Sequence, residues 1–256
     1  MPKSIAQEEN MAHVSAERGK ATRQRLLDAA VALVPEVGWS AVTTRMVAER
    51  AGVAPGVVHY HFASVTDLLA AAGLGFTAVL LDQVAAELCA RQEIGEGVDW
   101  LLGELSRYSG TDPASLLVVE MFLAATRLPD LRERLGEQVG RFRSAVASWL
   151  AGRGYEGDAD AAAAMLAAAV DGIMLHRALD PGLNPAALST PLRAMFGAGS
   201  GTGLGTGAGA ESGTGLGTEA STGSCPGSGT GPNTETSPGS GTGLGAGGGT
   251  RRKGAM

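Results

Sequence analysis

Residues 43–62 read Thr-Thr-Arg-Met-Val-Ala-Glu-Arg-Ala-Gly-Val-Ala-Pro-Gly-Val-Val-His-Tyr-His-Phe. They set apolar positions at helical spacing beside a cluster of guanidinium, imidazole and phenol groups. Such groups contact phosphates and base edges. The segment predicts two short helices broken at Gly52, the pattern of a helix-turn-helix whose second helix lies in the DNA major groove. Thr43 or Thr44 caps the first helix by accepting from its free N–H groups. Val47, Ala48 and Ala51 form a small apolar face, and Gly52 tolerates the positive φ of a tight turn. Pro55 suits a first helical turn, where its missing N–H goes unnoticed. Val58 and Phe62, four apart, pack inward and turn Pro55, Gly56, Val57, His59 and Tyr60 toward the groove.

Bond-making chemistry finds no comparable support. There is no Gly-x-Ser-x-Gly, no phosphate-cradling loop after a strand and no zinc-type ligand cluster. His59 and His61 are two apart and diverge on a helix, so they make a poor metal pair, and His61 is expected to pack beneath the motif. No enzyme activity, metal or cofactor is expected.

The order Gly38-Trp39, Thr43-Thr44, Val47-Ala48, Ala51-Gly52-Val53, Gly56, Val58, Tyr60-His61-Phe62, Leu68-Leu69 resembles the N-terminal DNA-binding domain of the TetR family of transcriptional repressors, over roughly residues 20–70. The resemblance implies a homodimer reading a palindromic operator. Base contacts would come from Pro55, Gly56, Val57 and Tyr60. Thr43, Thr44, Arg45 and His59 would hold the backbone, with Arg23 and Arg25 on the preceding helix. Three positions depart from the family pattern: Ala54 where Ser or Thr is usual, His59 for tyrosine and Val65 for lysine. The tyrosine and lysine commonly clamp phosphates, which supply much of the salt-dependent affinity. Arg23, Arg25, Arg45 and the N-terminal arm are expected to carry more of that grip here.

The elements that must hold this module read as helices throughout. Leu26, Leu27, Ala30, Val31 and Val34 predict one from Lys20 to about Val34. Another begins near Asp67, capped by Ser64 or Thr66, and Gly73-Leu-Gly75 predicts a break or bend before the apolar run 76–88. Further helices are expected at 95–108, 113–127, 130–151, 159–179 and 185–196, started by Asp112-Pro113, Leu128-Pro129-Asp130 and Asn184-Pro185. Asp171-Gly172-Ile173-Met174-Leu175 with Leu179-Asp180-Pro181 resembles the closing helix of one family subgroup. By that analogy 130–151 and 159–179 pair with their copies across a dimer, and the alanine face of 161–169 independently suits close helix approach. The fold class is all-α: an N-terminal three-helix DNA-binding domain and a C-terminal helical ligand-binding and dimerisation domain.

A pocket in the second domain is expected from side chains on its different helices: Trp100, Tyr108, Met121, Phe122, Trp149, Met174 and His176. Leu101, Leu123 and Met165 are further candidates, with Glu120, Arg127 or Asp171 and Arg177 as polar companions. Ordinary core filling explains many of the same residues. The effector would be small and apolar or amphipathic.

Charge and composition set the limits. The chain of 256 residues carries a net charge of −6, divided as +1 over residues 1–64 and −7 over 65–256. A near-neutral module on an acidic body suits a protein that touches DNA at one end. Cys89 and Cys225 offer no metal or disulfide framework. The first twenty residues show no secretion signal, the run 161–175 is broken by Asp171, and a cytoplasmic, non-membrane protein is expected. Met11 offers an alternative start. From Gly197 onward Gly, Thr and Ser dominate, with Gly-Thr-Gly-Leu-Gly at 201–205, 213–217 and 241–245. Too little apolar surface is present there to offset ordering entropy, which predicts a disordered tail ending in a basic Arg251-Arg252-Lys253. The expected division is a flexible arm 1–18, a DNA-binding domain 19–66, a ligand-binding and dimerisation domain 67–197 and a tail 198–256. The alternative function is a helix-turn-helix scaffold that answers no small molecule.

Overall fold

The structure is a computed structural model and describes residues 3–197, with side chains from His13 onward. The tail 198–256, with Cys225, the short glycine repeats and the basic end, lies outside the described residues. Every regular element among the described residues is helical: α1 (Lys3–Val37), α2 (Thr44–Ala51), α3 (Pro55–His61), α4 (Val65–Ala90), α5 (Ile94–Leu105), α6 (Pro113–Ala125), α7 (Pro129–Gly152), α8 (Ala159–Leu179) and α9 (Ser189–Gly197). Two 3-10 turns, Trp39–Ala41 and Pro185–Leu188, complete the order. The protein is all-α.

The start signals act as their chemistry requires. Ser64 accepts from the Asp67 N–H at 3.0 Å, Asp112 from Ser115 at 3.0 Å and Asp158 from Ala161 at 3.0 Å. Each satisfies one N–H that a helix start leaves unpaired.

Two expectations fail. The residues assigned to a flexible arm, 1–18, belong from Lys3 onward to α1. Ala, Gln, Glu, Met and Arg dominate that stretch, all good helix formers, and Pro2 precedes the helix. Of the break or bend expected at Gly73-Leu-Gly75, the break is absent, because α4 runs as one helix for 26 residues. Gly73 serves packing: a Cβ there would collide with the side chain of Met121. The glycine is a notch that lets α6 approach α4.

Two apolar cores result. The first joins Leu26, Ala30 and Val34 of α1 with Val47 and Val58 of the short helices, Leu68 and Leu69 of α4, and Met121 of α6. The second gathers Leu88, Leu102, Trp149, Leu150, Leu166 and Phe196 from the far end of α4 and from α5, α7, α8 and α9. Helices α4 and α7 contribute to both cores, so the reading module and the helical body share structural members. Helices α4 and α8 are long and apolar enough to cross a membrane by length and composition. Much of α4 is buried within the chain. On α8, by contrast, Met165, Leu175 and Leu179 stand exposed, Leu179 at 84%.

Candidate nucleic-acid interface and internal cavity

The reading surface is built by local rules. Thr43 has extended backbone and its hydroxyl accepts from the Met46 N–H at 3.3 Å, which settles the cap between the two threonines. Gly52 adopts φ 66° and ψ 40°, the left-handed conformation that ends α2. The Gly52 N–H then donates to Glu49 O at 3.2 Å and the Val53 N–H to Ala48 O at 2.9 Å, satisfying carbonyls the helix end exposes. Pro55 opens α3, and Ala54 before it makes no side-chain cap. A serine or threonine at that position would add about 1 kcal/mol. Buried Val58 and Phe62 anchor the helix to the first core.

The rest of α3 faces outward. Pro55, Gly56 and His59 are exposed, Val57 is half-buried and Tyr60 is 84% exposed. His61 is half-buried, its ring edge-on to Tyr60 at 5.0 Å. Thr44 is half-buried at the start of α2, and the exposed Arg45 follows it. On α1, the Arg23 guanidinium lies over the Phe62 ring at 4.9 Å, beside the end of α3. Arg25 reaches the Ala51 carbonyl at 3.5 Å and Thr22 Oγ1 at 3.3 Å. Both arginines therefore sit against the helix-turn-helix. Arg50 is engaged elsewhere, by paired hydrogen bonds of 2.9 and 2.6 Å to Glu36, which hold that carboxyl below its usual range. Val65, where the family has lysine, is half-buried and packs on the first core, so it offers DNA no charge.

The helical body forms a partly open cavity of about 700 Å³ between α4, α5, α6, α7 and α8. Of the expected pocket residues, Trp100, Tyr108, Phe122 and Met174 line it, as do Leu101 and Asp171. Phe142 of α7, Val118 of α6 and the Glu104–Arg107 pair line it too and were missed. Only the rotation of each helix could have revealed them.

Three expected pocket residues do not line the cavity. Met121 is buried in the Gly73 notch, with Thr77 Oγ1 3.3 Å from its sulfur. Adjacent residues on a helix point about 100° apart, so when Phe122 faces the cavity Met121 faces α4. Trp149 is fully enclosed in the second core, where its ring fills the space a Gly97 side chain would need. His176 is exposed on α8. Leu123, Met165 and Arg127 are likewise exposed.

Glu120 lies outside the cavity and does something different. Its Oε2 accepts the Trp39 N–H at 2.8 Å, tying α6 to the turn that leads into α2. The same helix presents Val118 and Phe122 to the cavity, so one element touches both regions. Replacing Glu120 with Ala is expected to lower stability by about 1.5 kcal/mol, the scale of a hydrogen bond to a charged acceptor. Urea unfolding measures this, and an unchanged midpoint would deny the contact its role.

Within the cavity two acids are paired and one is not. Glu87 pairs with Arg91 at 3.2 Å, and Glu104 with Arg107 at 3.3 Å. The Asp171 side chain has no hydrogen bond or ion pair among the described residues, and burial pushes its carboxyl above the usual range. Four aromatic rings, Trp100, Tyr108, Phe122 and Phe142, stand around the same space. Among the described residues no group of three His, Cys, Asp or Glu side chains could hold a metal.

Comparison with known proteins matches both regions. Residues 26–72 match the bacterial regulatory proteins of the tetR family, and residues 92–198 match a tetracyclin repressor-like C-terminal domain. The HTH-type transcriptional regulator BetI 2 of Chromohalobacter salexigens is 30% identical over 165 residues, covering 62% of this chain and 78% of that protein. A solved structure from Streptomyces coelicolor A3(2), SCO7518, described as a transcriptional regulator, is 30% identical with a TM-score of 0.56, covering 68% of this chain and 97% of that one. Another, from Saccharomonospora viridis in complex with choline, has a TM-score of 0.60 over 70% of this chain and 96% of that one. At 22% identity its likeness is one of fold.

Proposed function

Because this chain belongs to the TetR family of bacterial transcriptional regulators, we propose that it is a homodimeric repressor that binds a palindromic operator and lets go when a small molecule enters the helical body. The observation that carries this reading is the continuity between an exposed α3 face and a partly open cavity. Helix α6 walls the cavity with Val118 and Phe122 and holds the Trp39 turn through Glu120. An occupant that displaces α6 has a short route to the reading head through the Glu120–Trp39 hydrogen bond. Release then follows if the ligand binds the displaced state more tightly, and only to the extent of that difference.

Pro55, Gly56, Val57 and Tyr60 read the bases in this scheme. Arg23, Arg25, Thr43, Thr44, Arg45 and His59 hold the phosphates. The exposed apolar residues Met165, Leu175 and Leu179 on α8 support a dimer formed by α7 and α8 with their copies, since that surface is poorly placed in water. Such a protein works on chromosomal DNA in the cytoplasm.

Footprinting on the DNA upstream of the protein's own gene tests the proposal. Two protected half-sites about 34 Å apart, or a multiple of that, are expected. Loss of protection with one member of a metabolite panel is expected as well. Sequence-independent retention of DNA would reject the repressor reading. Val65 and Ala54 favour a second possibility, a weakly gripping helix-turn-helix scaffold with no effector. It predicts no ligand-induced rise in melting temperature across the panel.

A further inference from the structure

The glycine at position 56 has no explanation inside the chain. It stands in the first turn of α3, outside the left-handed region, and a Cβ built on it would meet nothing within 4 Å. Glycine is a poorer helix former than alanine at such a position. Neither backbone conformation nor packing requires it, so the missing side chain serves whatever α3 faces. Gly56 lies between the exposed Pro55 and the half-buried Val57. Tyr60, 84% exposed, follows four residues after Gly56 and three after Val57, on the same side of the helix. The spacing leaves a gap at Gly56, floored by backbone and flanked by Val57 and Tyr60.

The chemistry of this face narrows what can enter the gap. Helix α3 reads Pro-Gly-Val-Val-His-Tyr-His and holds no arginine, lysine, asparagine or glutamine. Those side chains make the paired hydrogen bonds that pick out guanine or adenine in the major groove. The feature of a major-groove edge that apolar groups recognise is the C5 methyl group of thymine. We infer that the gap at Gly56 seats a thymine methyl group in each half-site, with Val57 and Tyr60 against it. This inference rests on the reading of Pro55, Gly56, Val57 and Tyr60 as base contacts and names the base they take. Cytosine or uracil at the same position would leave the gap unfilled.

Deoxyuridine in place of thymidine tests the inference, because it removes the methyl group and keeps the base pairing. The full-length protein is titrated by fluorescence anisotropy with the duplex that footprinting protects. Copies of that duplex carry deoxyuridine at each half-site thymidine in turn. One position in each half-site should lose about fourfold in affinity, the scale of one buried methyl group, and both together about fifteenfold. Gly56→Ala puts a methyl group on the protein where that of the base would sit. The variant should bind the thymidine duplex more weakly than the parent does. At the sensitive position it should bind deoxyuridine DNA at least as tightly as thymidine DNA. Its melting temperature should hold or rise, since the added Cβ meets open space and alanine favours the helix. A weaker affinity would then not be a failure to fold.

Deoxyuridine that weakens binding at no position, or protected half-sites without thymine, would overturn the inference and leave the repressor reading intact. Equal weakening of the thymidine and deoxyuridine duplexes by Gly56→Ala would also overturn it, since the gap would then admit the sugar-phosphate backbone. Undiminished binding of the thymidine duplex by that variant would show that nothing enters the gap. The repressor reading would fall only if footprinting found no half-sites at all.

Discussion

With Tyr60 replaced by Ala, the protein is expected to keep its fold and the proposed dimer, and to lose the proposed preference for operator over unrelated DNA by roughly ten- to a hundredfold. The side chain is 84% exposed on α3, opposite the buried Val58 and Phe62, and its one ring contact is the edge of His61. Truncating such a residue changes stability by about 0.5 kcal/mol or less. A lost base contact costs about 1–3 kcal/mol of discrimination, which sets the expected range. Among the described residues of α3, Tyr60 and His59 are the exposed polar side chains long enough to reach a base edge, since Pro55, Gly56 and Val57 are short. Competition mobility shifts read the selectivity, while size exclusion and thermal melting check that dimer and fold persist. Unchanged selectivity in a folded variant would remove Tyr60 from the reading surface.

The reading module was legible because each of its constraints is local. A threonine that caps, a glycine with positive φ and two apolar residues four apart act within one or two turns of themselves. Thr43, Gly52, Val58 and Phe62 all behave as their residue types require. The body was legible in its helix starts for the same reason, as at Asp112 and Asp158. The cavity was not, because lining it depends on helix rotation fixed by distant packing. Met121 and Phe122 are sequence neighbours of similar character, and which one faced the cavity was decided by a notch 48 positions earlier, at Gly73. The same notch misled the reading of α4, since a glycine placed for close approach and a glycine placed to break a helix look alike in one dimension.

Trp100 and Trp149 show that difference between two residues of one type, and they diverge in what their loss should do. Trp100 is half-buried on the cavity wall, so its replacement chiefly alters what the cavity holds. Trp149 has no exposed surface, and its indole Nε1 donates to the Arg91 carbonyl at 3.2 Å. Arg153, whose guanidinium lies 5.7 Å from the Trp149 ring centre, donates to the same carbonyl and to that of Cys89, each at 2.7 Å. Together they satisfy carbonyls at and just beyond the end of α4, while the ring presses on Gly97 of α5. Trp149→Ala is expected to cost about 3–5 kcal/mol, from the lost burial and the cavity left behind. That is a large part of the roughly 5–15 kcal/mol available to a folded domain. It also leaves the Arg91 carbonyl with one donor fewer. Urea unfolding should show a large fall in midpoint, with operator binding lost in proportion to the unfolded fraction. Because the second core shares α4 and α7 with the first, the reading module should not survive as an independent folded unit. A loss below about 1 kcal/mol, the ordinary size of a point-mutation effect, would mean that the second core repacks around the gap and that Trp149 does not clamp α4 to α5.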